Sequence, residues 1–316
     1  MTPSLTRRSF AVAALGTALS RTLSAHGQTS PATQQSVPDH ISAQARDALA
    51  ALEARNGGQL GVVALDTGSG RRIDHRADQR FPMCSTHKLL TAAAILTMTD
   101  QGHMELDRRI PFDRADLLEY APITRMHVSA GFMTVEALCE AAIEWSDNTA
   151  ANLLLGLTGG PAGWTRYALS IGDTTSRLDR TEPTLNTAVP GDPRDTTTPA
   201  AMVRNLNVLL IGKALSDASR TRLENWLLNS KITGNLLRAV LPDGWRVGDK
   251  SGSGERGSRA DIGIILPPDA APIGAAVYYT GSTEPPSLRD KVIAEAGRII
   301  TQTLSSASEA ARGGHE

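Results

Sequence analysis

Apolar residues at Ile41, Ala45, Leu49 and Leu52 recur with a period near that of an α-helix and predict an amphipathic helix over residues 39–55. Strands are predicted at 60–66 and 72–75. A nearly unbroken apolar run at 89–98, rich in Ala and Leu, reads as a buried helix, and helical stretches follow at 135–145 and 149–157. Extended segments return late, at 245–249, 260–266 and 273–280, before a last helix at 288–304. Strands at both ends with helices between imply an α+β fold. It would hold one antiparallel sheet built from both termini and flanked by helices, plus a largely all-α subdomain. The sheet-bearing part is expected over about 39–80 and 230–304, and the helical part over about 81–229.

Composition narrows the class. With 41% apolar residues the 316-residue chain can bury a sizeable core, and it carries no heptad run, collagen-like period or repeat. Residues 26–38, rich in Gln, Ser, Thr and Pro, read as a flexible leader, and 305–316 as a polar tail. Thr6-Arg7-Arg8-Ser9-Phe10 followed by an Ala/Leu-rich stretch at 11–19 reads as a twin-arginine export signal over 1–25, cleaved near Ala25. That stretch is too short to span a bilayer comfortably. A periplasmic or secreted bacterial protein, monomeric and free of the membrane after cleavage, is therefore expected. Removing 1–25 leaves 29 basic against 33 acidic residues, which argues against nucleic acid as a partner. The seven histidines are scattered without His-x-x-x-His spacing, so neither a metal nor another cofactor is expected.

Four short segments carry candidate chemistry: Ser85-Thr86-His87-Lys88, Ser146-Asp147-Asn148, Glu182-Pro183-Thr184-Leu185-Asn186 and Lys250-Ser251-Gly252. A serine hydroxyl is a poor nucleophile at neutral pH and needs a nearby base, an oxyanion hole and a proton path to the leaving group. Ser85 is placed in the first turn of the buried helix, where unpaired N–H groups favour developing negative charge, and Lys88 lies three residues on. Taken singly, each segment is an ordinary feature: a solvated lysine near an N-cap serine, a capping turn, a charged surface loop, a glycine-rich hairpin. His87 falls about 200° round a helix from Ser85, which points it away and gives it a packing role.

Taken together and in this order, the segments make the chain resemble a class A serine β-lactamase, over about residues 40–304. The most specific stretch runs from Arg180 through Glu182 and Asn186 and continues from Pro190 through Asp195 to Pro199. It matches the family's Ω-shaped loop, whose base the resemblance closes with an Arg180–Asp195 ion pair. The resemblance implies an active site in the cleft between the two parts. Ser85 is then the nucleophile, Lys88 a charged or transiently neutral partner that helps remove its proton, with either Lys88 or Glu182 as the acylation base, and Ser146 the relay to the lactam nitrogen. Glu182, with Asn186, holds and activates the hydrolytic water. Asn148 orients the substrate's acylamido side chain, and Tyr120 lines the entrance. Backbone N–H groups of Ser85 and Ser253 form the oxyanion hole. Lys250, Ser251, Gly252, Ser253 and Arg259 make a shelf for the carboxylate of a small-molecule β-lactam. Implied activity is hydrolysis of penicillins and cephalosporins through an acyl-enzyme, giving antibiotic resistance. A penicillin-binding D,D-peptidase or a non-catalytic β-lactam receptor would share the serine and lysines, but neither needs a deacylating carboxylate. The third motif has Ser251 where many members have Thr. Gly254 and Ala92 stand where the family's disulfides would need partners for Cys84 and Cys139, so both thiols are expected free.

Overall fold

A computed structural model describes residues 40–313, with side chains from 42 to 305. The expected export signal and leader lie outside the described residues. Helix α1 (His40–Asn56) leads into strands β1 (Gln59–Asp66) and β2 (Arg72–His75), after which the chain leaves the main sheet. A two-residue strand β3 (Phe81–Pro82) precedes a 3-10 turn, Cys84–His87, and helix α2 (Lys88–Asp100). Next come β4 (Arg109–Pro111), the short α3 (Thr124–His127) and β5 (Phe132–Thr134), with β4 paired to β5. Helices α4 (Val135–Glu144), α5 (Asn148–Leu157) and α6 (Gly160–Ser170) follow. Strand β6 (Thr196–Thr197) pairs with β3, and α7 (Pro199–Leu210) and α8 (Asp217–Leu228) bring the chain back. Strands β7 (Arg246–Ser253), β8 (Arg259–Leu266) and β9 (Ile273–Thr280) and helix α9 (Pro286–Gly313) complete it.

The main sheet has the order β2-β1-β9-β8-β7 with every pair antiparallel. β1 lies along the whole of β9, from Gln59 opposite Thr280 to Asp66 opposite Ile273. Both ends of the chain thus build one sheet, as the pattern implied. Successive side chains of a strand point to opposite faces, and here both faces are covered. Val62, Ile265 and Val277 join Leu49, Leu52, Ile293 and Ile300 in one apolar cluster under α1 and α9. Their neighbours Val63, Ile264 and Tyr278 join Leu90, Leu206 and Leu154 in the other, which fills the helical part. Strands buried on both sides read as apolar runs rather than as strict alternation, and β9 is buried at seven of eight positions.

Helix starts follow local chemistry. Thr134, Asp147, Thr198 and Ser216 each accept a backbone N–H in the first turn of α4, α5, α7 and α8, and Pro199 occupies the first position of α7. The last helix runs past Leu304, where apolar periodicity stops, to Gly313. Its extension, Ser-Ser-Ala-Ser-Glu-Ala-Ala-Arg-Gly, carries three Ala, strong helix formers that leave no apolar periodicity to read.

Candidate active site

The nucleophile candidate sits on a turn that differs from the helical reading. Ser85 lies in the 3-10 turn Cys84–His87, and α2 begins only at Lys88. Cys84 adopts φ +46°, a left-handed conformation costly for a side-chain-bearing residue, and this bend presents Ser85 at the cavity. Ser85 Oγ accepts a hydrogen bond from Lys88 Nζ at 3.0 Å and donates one to Glu182 Oε1 at 3.2 Å.

Lys88 is wholly buried. Besides Ser85, its ammonium reaches Asn148 Oδ1 at 2.6 Å, Ser146 O at 2.8 Å, Ser146 Oγ at 3.2 Å and Glu182 Oε1 at 3.2 Å. Three ammonium protons are shared among five oxygens. Ser146 stands at φ +58° between α4 and α5, another strained position. Asp147 next to it is the structural member of its motif. Its buried carboxylate accepts from the backbone of Ile123, Thr124 and Ala150 and so fixes the junction. On the far side Lys250 Nζ donates to Ser146 Oγ at 3.0 Å and to Ser251 O at 2.8 Å. One hydroxyl thus bridges two lysines. Burial lowers the proton affinity of both, Glu182 partly offsets this for Lys88, and Lys88 depresses Lys250 further.

Glu182 comes from the loop between α6 and α7. Burial works against its ionisation, yet Lys88, His87 and Asn186 outweigh burial and hold its carboxyl well below the usual range. Asn186 Nδ2 donates to Oε2 at 2.5 Å. Asn152 clamps the backbone, accepting from Glu182 N at 3.0 Å and donating to Glu182 O at 2.9 Å. At the loop's base Arg180 Nε meets Asp195 Oδ2 at 2.6 Å, and Asp195 Oδ1 accepts from the N–H groups of Asp179 and Arg180. Asp195 O in turn accepts from Met83 N at 2.9 Å, which ties the loop to the turn carrying Ser85.

Ser85, Tyr120, Ser146, Asn148, Asn186, Ser251, Ser253 and Arg259 line one cavity of about 380 Å³, together with Ile232. Lys88, Glu182 and Lys250 lie behind this surface. The cation facing the cavity from the β7 side is therefore Arg259, while Lys250 is turned onto Ser146 and Ser251 O. Arg259 Nε is anchored on Asp290 at 2.6 Å and its Nη1 on Ser253 Oγ at 2.7 Å. Tyr120, half exposed, donates to Trp145 O at 3.2 Å. Two glycines, one in β7 and one just beyond its end, let this segment close on the turn that carries Ser85. A Cβ at Gly252 would lie 2.9 Å from Met83 O, and one at Gly254 2.6 Å from Cys84 Sγ and 2.8 Å from Asn186 O.

A model of the β-lactamase enzyme family matches residues 44–304. The chain is 42% identical to β-lactamase Toho-1 of Escherichia coli, over 95% of this chain and 99% of that one. It is 47% identical to β-lactamase AST-1 of Nocardia asteroides, over 83% and 84% respectively. An ancestral Gram-negative class A β-lactamase structure superposes with a TM-score of 0.81 at 56% identity, covering 82% of this chain and 99% of that one. This chain belongs to the class A β-lactamases.

In this β-lactamase Ser85, Tyr120, Ser146, Asn148, Asn186, Ser251, Ser253 and Arg259, all singled out from the sequence, line one cleft, with Lys88, Glu182 and Lys250 buried behind it. Cys84 and Cys139 are both free and buried. The Cys84 sulfur occupies space that a side chain at 254 would need. Sequence reasoning missed Asn152, Ile232 and Asp290. For Asn152 a signal existed, since it follows Asn148 by four residues on α5 and shares its face. His87 is buried as a packing role requires, but its Nε2 lies 3.5 Å from Glu182 Oε1.

Proposed function

We propose that this class A β-lactamase opens the β-lactam ring of penicillins and cephalosporins in two steps, with Ser85 and Glu182 as the central groups. Ser85 Oγ attacks the lactam carbonyl as its proton leaves toward the Lys88–Glu182 pair. The carbonyl electrons move onto oxygen, where the N–H groups of Ser85 and Ser253 receive them. On collapse the C–N bond breaks, and Ser146 passes a proton to the departing nitrogen, drawing on Lys88 or Lys250. An ester on Ser85 results. Glu182 then takes a proton from a water attacking that ester, and the proton returns to Ser85 Oγ as the acid product leaves. Arg259, with the hydroxyls of Ser251 and Ser253, receives the substrate carboxylate, Asn148 receives the acylamido group, and Tyr120 borders the mouth.

The observation that carries this reading is the position of the Glu182 carboxylate. It lies within 3.2 Å of the Ser85 hydroxyl and is held at its other oxygen by Asn186. A peptidase or receptor has no use for an ionised base at the ester. Glu182→Ala tests the reading: mass spectrometry after mixing with a penicillin should show a persistent adduct on Ser85, while the wild type turns over and shows little. A long-lived adduct on the wild type itself, with negligible turnover, would overturn it in favour of a penicillin-binding or receptor role.

We also infer export by the twin-arginine signal to a periplasmic or extracellular site, and a monomeric enzyme there. Arg7 and Arg8 before the apolar stretch support the first point. Among the described residues no helix is long and apolar enough to cross a membrane.

A further inference from the structure

His87 stands between the nucleophile and its lysine in sequence, yet its ring lies behind the cavity, fully buried. Trp164 Nε1 donates to His87 O at 3.0 Å and fixes its backbone. The ring has two polar neighbours. Nδ1 lies 3.3 Å from Thr91 Oγ1, and Nε2 lies 3.5 Å from Glu182 Oε1, the oxygen that also meets Ser85 and Lys88. Nε2 has no hydrogen bond of ordinary length in this resting state. Catalytic hydrogen bonds are often long before substrate binds and tighten afterwards.

The carboxylate beside Nε2 selects a tautomer, since the Thr91 hydroxyl beside Nδ1 can either donate or accept. A lone pair on Nε2 would face a carboxylate oxygen in a dry pocket, where like partial charges repel strongly. A proton on Nε2 turns the same contact into a charge-assisted hydrogen bond, and the Thr91 hydroxyl, which donates to His87 O at 3.2 Å, need only swing its proton onto Nδ1 at 3.3 Å to satisfy the other nitrogen. We propose that His87 is a positioning residue that, as a neutral Nε2–H donor, holds Glu182 Oε1 in the orientation needed for deacylation and keeps the carboxylate ionised. The proposal rests on the reading of Glu182 as the deacylating base. Burial lowers the proton affinity of the ring, Glu182 raises it, and the ammonium groups of Lys88 and Lys250 lower it again. These are the charged groups that face it, and their net effect leaves it neutral.

The test compares two substitutions. His87→Phe keeps a ring of similar volume without the donor, and His87→Gln places an amide N–H near the position of Nε2. In His87→Phe, deacylation should slow by roughly tenfold, the size expected for one hydrogen bond to a charged group. KM should fall in step with kcat, because acylation is less affected. The acid limb of kcat should move up by about one pH unit as Glu182 loses a donor. His87→Gln should recover most of both effects. Unchanged deacylation and acid limb in His87→Phe, or equal defects in the two variants, would reduce His87 to packing. Nitrogen-15 NMR of the wild type, with the His87 signal assigned by its loss in His87→Gln, gives a readout independent of His87→Phe. A neutral ring protonated at Nε2 is expected, and protonation at Nδ1 alone overturns the proposal. The outcome for Glu182→Ala decides the role of Glu182 separately, since the tautomer does not depend on which group deacylates.

Discussion

Two ion pairs lie within one loop's reach and do opposite things. Arg180–Asp195 joins a planar guanidinium to a carboxylate that also accepts two backbone N–H groups, so nearly every valence is satisfied and neither charge has anywhere to go. Lys88–Glu182 is more deeply buried, with both side chains wholly shielded, but it is looser, at 3.2 Å. Its ammonium is divided among five oxygens, and its carboxylate faces a serine, a lysine, a histidine and an asparagine. The first pair holds a shape. The second holds a proton inventory that can be redistributed at little cost, because lysine and glutamate both have proton affinities that move with their surroundings while arginine's does not. Saturation suits a clamp, and sharing suits the proton transfers proposed for Lys88 and Glu182, within a loop anchored by the contact of Asp195 O with Met83 N.

The contrast can be broken from either side. Ser85→Ala should produce the largest effect, a loss of turnover on the order of 10⁵-fold or more against a chromogenic cephalosporin. Its thermal midpoint should stay within about 3 °C of the wild type, since little volume is lost. Appreciable residual hydrolysis would remove Ser85 from the mechanism. Asp195→Ala should give the inverse signature: a loss of about 3–5 kcal/mol in denaturant unfolding, because Arg180 and two N–H groups lose their acceptor. If that variant unfolds like the wild type, the clamp is not one. Arg259→Ser probes a third arrangement, a cation held by Asp290 and offered to substrate. Here KM for penicillins should rise about tenfold with kcat nearly unchanged, and an unchanged KM would assign the carboxylate to another group. The smallest effect belongs to a pair at the surface. Glu53, whose carboxyl the Arg76 hydrogen bond holds down to about 2 against partial burial, also accepts from Leu60 N. Its folded value lies below its unfolded one, so its contribution to stability is complete above about pH 4.5 and fades as pH falls toward 2. Glu53→Gln should therefore be less stable than the wild type at pH 6, with the gap closing in acid; a gap independent of pH would assign the effect to packing.

Most of the frame was legible in the sequence for physical reasons. Leu49 and Leu52 recur at helical spacing because α1 has one buried face, and β9 reads as an apolar run because helices cover it on both sides. That the four motifs meet at one cavity was legible because few residue types suit attack, relay or proton removal, and those types stand in one order along the chain. What stayed hidden depends on segments meeting in space. The helical-wheel argument correctly turned His87 away from Ser85, but it could not see Glu182, ninety-five positions later, arriving beneath the same turn. Nor could spacing reveal the 3-10 geometry at Cys84–His87, which rests on a positive φ at cysteine. Lys250 was legible as a cation but not as one facing inward, since its burial follows from the close approach that Gly252 permits.

The pairing of β1 with β9 bears on how the enzyme is made. β1 is complete at Asp66, and its partner does not begin until Ile273, so roughly two hundred residues must be synthesised before that edge is closed. A nascent chain that has reached Arg259 already contains every group proposed for catalysis, yet its first strand still lacks its central neighbour. Contacts so distant along the chain form late and slowly, and until they form the open apolar edge of β1, paired only with β2, is a target for chaperones and for other chains. Hydrolytic competence should thus appear in a single step near the end of biosynthesis, with no half-built enzyme able to trap antibiotic on Ser85.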